Sequence, residues 1–126
     1  IKEVSYIVTT DRIVIAGFSQ GGVIAYGAAF SHDRKIGGVI GLSTYLPKSL
    51  ELKHNTANRQ TEILICHGIY DEIVPIELGK QANDYFKQKD YKVQYNEFQM
   101  EHQVILPQCK RIGDWINLLF SNLEME

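Results

Sequence analysis

The sequence predicts an α/β fold, a parallel sheet with helices on both of its faces. Three observations carry this. Short apolar, β-branched runs alternate with longer segments of helical character along the whole chain. The runs at 13–16, 36–42 and 63–66 are apolar throughout, as strands covered on both sides are. The residues with catalytic chemistry fall just past the carboxyl ends of these strands, where open α/β sheets gather their functional groups.

Taken in order, residues 1–9 read as the end of a helix that closes at Thr9-Thr10-Asp11. Arg12-Ile13-Val14-Ile15-Ala16 reads as a strand buried on both faces. Residues 20–31 are too long and too rich in alanine for a strand and read as a buried helix, ending at Ser31-His32-Asp33. A second buried strand is expected at 36–42, left through the loop Ser43-Thr44-Tyr45-Leu46-Pro47. Residues 48–61 are polar and aperiodic, a surface loop with room for one helical turn. Ile63-Leu64-Ile65-Cys66 is the third strand. A helix over 76–89 follows Pro75, then a strand at 93–98 and a last helix over about 104–123. No repeat or low-complexity linker divides the chain, so residues 1–126 are expected to form a single domain.

Composition narrows the function. At 126 residues the chain is large enough for one core but small for an α/β enzyme. A net charge of −2 without a basic run gives no reason to invoke nucleic acid or anionic lipid. Cys66 and Cys109 have no metal-type spacing and are expected as free thiols, which points to a reducing cytoplasm. The four histidines are scattered, so a metal site is not expected. No apolar run approaches the ~18 residues a bilayer span needs, and stable membrane insertion is not expected. The chain opens on Ile1-Lys2-Glu3 rather than methionine, from which a segment removed ahead of it is expected.

Between the first strand and the first complete helix stands Gly17-Phe18-Ser19-Gln20-Gly21-Gly22. Strand, Gly-x-Ser-x-Gly, helix is the context of a nucleophile elbow. Such a turn leaves no room for side chains, so glycine is expected to be required at Gly17 and Gly21. Ser19 then sits above the strand end, at the positive end of a helix. The plainer alternative is a serine that only caps that helix.

A serine hydroxyl needs a base within hydrogen-bond reach, and the base needs a carboxylate to fix its tautomer. Nucleophile, acid and base follow in that chain order in elbow-type enzymes. Asp33, Asp84 and Asp90 fall in or at the ends of helices, away from the strand ends. Asp71, in His67-Gly68-Ile69-Tyr70-Asp71-Glu72-Ile73-Val74-Pro75, lies directly past a strand, with Glu72 as its competitor. Among the histidines, His32 reads as a helix cap and His54 belongs to the polar loop. His67 closes a strand and reads as a turn-stabilising group. His102 follows the last strand and opens the last helix, where a cation gains nothing from the helix dipole. Ser19, Asp71 and His102 are therefore the expected catalytic set.

Gly17-Phe18-Ser19-Gln20-Gly21-Gly22, Leu42-Ser43-Thr44-Tyr45-Leu46-Pro47, His67-Gly68-x-x-Asp71-x-x-Val74-Pro75 and Met100-Glu101-His102 together resemble the acyl-protein thioesterase and carboxylesterase family of α/β-hydrolases. The resemblance covers nearly the whole chain. It implies an α/β-hydrolase-type sheet and cofactor-free cleavage of carboxylic esters, acyl thioesters or lysophospholipids through an acyl-enzyme. Small-molecule or lipid esters are then the expected substrates. Glu101 departs from the pattern, since many relatives carry glycine there. The larger departure is at the front: the family's earlier strands and its His-Gly oxyanion loop have no match here. The backbone N–H of Gln20 is one expected oxyanion donor, and the second is absent. The N-terminal strands of the domain are accordingly expected to be missing. The first strand would then leave an open edge for a second copy or a complementing N-terminal segment. The competing reading is an inactive or weakly active fragment that serves as a half-sheet association module.

Overall fold

A computed structural model of the chain describes residues 9–50, 52 and 56–124, the side chains of 122–124 excepted. The helix end expected over 1–9 therefore lies, apart from Thr9, outside the described residues. The described elements are β1 (Val14–Phe18), α1 (Gln20–Ser31), β2 (Gly38–Leu42), β3 (Glu62–Gly68), α2 (Ile76–Gln88), β4 (Val93–Phe98) and α3 (Leu106–Glu124). The four strands pair in parallel in chain order, β1-β2-β3-β4.

Side-chain alternation sorts this sheet into two cores. Val39, Ile63 and Ile65 face α1 and α2, where Tyr26, Phe30 and Phe86 fill the space between helices and sheet. Their immediate neighbours Ile40, Leu64 and Cys66 face the opposite way, onto Trp115 and Leu119 of α3. A period of two along each strand produces this split. Helices thus cover both faces, as the sequence predicts.

Several boundaries differ from the sequence reading for local reasons. Residues Thr10–Arg12 form a 3-10 turn, closed by hydrogen bonds from Arg12 N–H to Thr9 and from Ile13 N–H to Thr10. The first strand therefore starts at Val14 and runs on to Phe18, and it is not buried on both faces: Ala16 and Phe18 are exposed. The second strand starts at Gly38 because the two preceding N–H groups are taken elsewhere. Ile36 donates to the Asn58 side chain and Gly37 to the Ile13 carbonyl. The third strand extends to Gly68, since its pairing with β4 continues to Gly68↔Phe98. The last helix begins at Leu106 rather than near 104, with Pro107 in its first turn, where a missing N–H costs nothing. Among the described residues β1 and β4 are the edges of the sheet.

Candidate active site

Three loops at the carboxyl ends of β1, β3 and β4 meet at one point. At the first, Ser19 joins β1 directly to α1 with φ 55° and ψ −122°, a left-handed conformation that costs a non-glycine residue energy. The surroundings hold it there. Its N–H donates to Leu42 O at 2.8 Å, and its carbonyl accepts from Gly22 N–H at 2.9 Å and from the Thr44 hydroxyl at 2.5 Å.

The glycines of this turn do not divide as expected. A Cβ on Gly17 would stand 2.1 Å from the Gly21 carbonyl oxygen, so Gly17 is required. A Cβ on Gly21 would meet nothing within 4 Å, which corrects the expectation for that position. The second required glycine is Gly22, whose Cβ would fall 2.5 Å from the Thr44 side chain. Gly21 brings its backbone close to Gly17; Gly22 brings the helix close to the β2 loop.

At the second loop, Asp71 is buried and its carboxylate is fully used. Oδ1 accepts the N–H groups of Ile73 and Val74 at 2.9 and 2.8 Å, and Oδ2 lies 2.8 Å from His102 Nδ1. Burial pushes this carboxyl up, but the His102 contact and the two backbone N–H groups outweigh it and hold Asp71 below the usual carboxylate value. At the third loop, His102 places Nε2 3.0 Å from Ser19 Oγ. A carboxylate only accepts, so Nδ1 carries the hydrogen toward Asp71 and Nε2 is left to accept from the serine. The Phe18 ring lies against the imidazole, 4.7 Å between centroids.

The structure thus brings Ser19, Asp71 and His102 into one hydrogen-bonded chain. Glu72 is exposed and not part of it. Gln20 is the first residue of α1, beside Ser19, where a helix N–H has no carbonyl of its own helix to meet. Glu101 is exposed, with its N–H on the Gln103 side chain at 3.0 Å. His67 is buried and bonds the Val74 carbonyl, a turn contact as its position suggests. His32 stands at the end of α1, and His54 lies outside the described residues. Sequence reasoning quoted Thr44, Gly22 and Phe18 within its motifs but gave none of them a role. The partnership of Thr44 with Gly22 has no local signal, because it spans two loops; Phe18 was available as the residue ahead of the serine.

The profile of the phospholipase/carboxylesterase family matches residues 1–120. Acyl-protein thioesterase 1 of Neurospora crassa is 33% identical over 120 residues, covering 91% of this chain and 49% of its own length. Acyl-protein thioesterase 1 of Saccharomyces cerevisiae is 30% identical over 127 residues, covering 96% and 56%. The chain therefore spans about half the length of the curated relatives it matches. Among solved structures, Arabidopsis thaliana SOBER1 superposes with a TM-score of 0.87 at 24% identity, over 94% of this chain and 58% of the other. A Bacillus cereus carboxylesterase superposes with a TM-score of 0.78 at 18% identity, over 94% and 56%. At these identities the superpositions speak for the fold.

Proposed function

Because the chain belongs to the phospholipase/carboxylesterase family of α/β-hydrolases, we propose that it is a serine hydrolase of carboxylic esters, with acyl thioesters and lysophospholipids in the same substrate class. The observation that supports this most is the chain of hydrogen bonds from Ser19 through His102 to Asp71. In this reading Ser19 Oγ bonds to the substrate carbonyl carbon as its proton passes to His102 Nε2. Asp71 keeps the imidazolium oriented and balances its charge. His102 then gives the proton to the departing alcohol or thiol as the carbon–oxygen or carbon–sulfur bond breaks. Water, activated by the same nitrogen, releases the acid and restores the serine. The Gln20 N–H, at the positive end of α1, is one donor for the oxyanion. No cofactor enters any of these steps.

We read residues 1–126 as a single, partial domain of this type. Its β1 edge is the place where a second copy or a complementing segment would pair, β1 being the outermost strand on that side among the described residues. No helix among the described residues is long and apolar enough to cross a membrane, and Cys66 and Cys109 are free. Both fit a cytoplasmic protein acting on dissolved or lipid esters.

Labelling by an activated fluorophosphonate tests the reading. The wild-type protein should label fast, Ser19→Ala not at all, and His102→Ala slowly. Turnover of a short p-nitrophenyl ester should fall on the order of 10⁴-fold for Asp71→Asn. The Ser19→Ala/His102→Ala double variant should be no slower than either single one, because each disables the same nucleophile. Labelling that survives Ser19→Ala would overturn the proposal.

A further inference from the structure

We propose that His67 is a positioning residue for the acid of this site: it holds Asp71 toward His102 by way of Val74. The proposal rests on the reading of Ser19, His102 and Asp71 as one catalytic unit. His67 is fully buried near the end of β3, where its ring cannot reach solvent or a substrate. Its Nε2 lies 2.7 Å from the Val74 carbonyl oxygen. A carbonyl only accepts, so Nε2 carries a hydrogen and donates it.

Val74 is therefore held at both of its polar groups. Its carbonyl is fixed by His67, and its N–H donates to Asp71 Oδ1 at 2.8 Å. The same His67 Nε2 is 3.6 Å from Asp71 Oδ2, the oxygen that faces His102. That is too long for a hydrogen bond, yet it sets a polar N–H beside the same carboxylate oxygen that meets His102. On its other edge the His67 ring presses on α2. A Cβ on Gly79 would stand 2.5 Å from Nδ1 and 3.0 Å from Cγ. Nδ1 itself has no hydrogen-bond partner among the described residues. A buried nitrogen left unpartnered is unfavourable, so packing alone does not account for a histidine here. What the side chain gains lies at Nε2, and that contact leads to Asp71. A shift of the acid by an ångström is costly in rate even when the site is otherwise intact.

The test measures kcat and KM on a short p-nitrophenyl ester for His67→Ala and His67→Gln, each in the wild-type and the Asp71→Asn background. Glutamine brings its amide nitrogen close to the place of Nε2 and keeps the donor. His67→Ala should lower kcat by roughly 10- to 100-fold, leaving KM within about twofold. His67→Gln should recover most of that loss. In the Asp71→Asn background His67→Ala should cost less than about twofold, since its route of action is already gone. Gly79→Ala displaces the ring without altering its chemistry, and it should lower kcat with the same dependence on Asp71. Equal losses in both backgrounds would show that His67 acts independently of Asp71 and would overturn the proposal alone. A Gln variant of unchanged melting temperature that recovers nothing, or an unchanged kcat in Gly79→Ala, would do the same. Wild-type rates in Asp71→Asn by itself would instead overturn the catalytic reading, and this proposal with it.

Discussion

Thr44 donates its hydroxyl to the Ser19 carbonyl at 2.5 Å, while the rest of its side chain occupies the space that a Cβ on Gly22 would need. One buried residue of the β2 loop thus braces both the strained serine and the first turn of the helix behind it. Leu42 adds a second brace from the same strand end, accepting the Ser19 N–H at 2.8 Å. Ser19 is held by its neighbour strand as well as by its own turn.

Thr44→Val keeps the shape and removes the hydroxyl. The Ser19 carbonyl retains its bond from Gly22 N–H at 2.9 Å, so the expected loss of stability is about 1 kcal/mol. Fluorophosphonate labelling should slow several-fold as Ser19 loosens. Thr44→Ser, with the hydroxyl intact, should label nearly as fast as wild type. Denaturant midpoints and labelling rates measured together decide it. A Val variant equal to wild type in both would show the contact to be idle.

The two outer glycines of the Gly-x-Ser-x-Gly motif should behave oppositely. Gly17→Ala forces a methyl to within 2.1 Å of backbone that cannot move without breaking the elbow. A loss of about 3 kcal/mol or more is expected. Gly21→Ala meets open space inside α1 and should stabilise the fold by roughly 0.5–1 kcal/mol. Thermal melts of the two variants measure this. Comparable destabilisation by both would mean that Gly21 is confined by something beyond the described residues.

Acid should weaken the fold partly through Asp71. Its carboxyl titrates below the usual value in the folded protein, through its bonds to His102, Val74 and Ile73, despite the opposing effect of burial. A lowered folded value means that this group's stabilisation is fully present above the unfolded value of about 3.9. It is lost as pH falls from there through the lower folded value. Urea unfolding between pH 5 and pH 2 should show a smaller acid-induced loss for Asp71→Asn than for wild type. Parallel curves would mean that other carboxylates carry the effect.

What the sequence revealed of this site is what lies close along the chain. The elbow is legible because strand, turn and helix follow within a few residues, each with its own composition. The helix after Pro75 and the strand at 93–98 are legible for the same reason. Asp71 and His102 could be selected by their places past strand ends, although 31 residues separate them. Contacts made across the sheet were hidden. The Thr44 hydroxyl reaches Ser19 over 25 residues, and no local pattern reveals that contact. Arg12-Ile13 has strand composition, yet the turn at Thr10–Arg12 takes the first of the pair and delays the ladder.

Asn58 is the clearest case of a hidden residue, and it supports the last prediction. It ends the short 3-10 turn Thr56–Asn58, in a stretch whose polarity reads as surface, and it is buried. Its Oδ1 accepts Ile36 N–H at 2.8 Å and the Thr61 hydroxyl at 2.7 Å. Its Nδ2 donates to the carbonyls of Arg34 at 3.0 Å and His32 at 3.2 Å. The side chain thereby ties the end of α1, the entry to β2 and the entry to β3 together. Asn58→Ala strands several buried polar groups at once, and a loss of about 3 kcal/mol is expected. Asn58→Asp preserves the acceptor but sets a carboxylate against two carbonyl oxygens. At pH 7 it should therefore be less stable than the Ala variant, although it is closer in shape to the native residue. Urea unfolding of the three proteins at pH 7 gives the order. An Asp variant more stable than Ala would mean that the loop rearranges to give the charge water, and that the bonds to Arg34 and His32 contribute little.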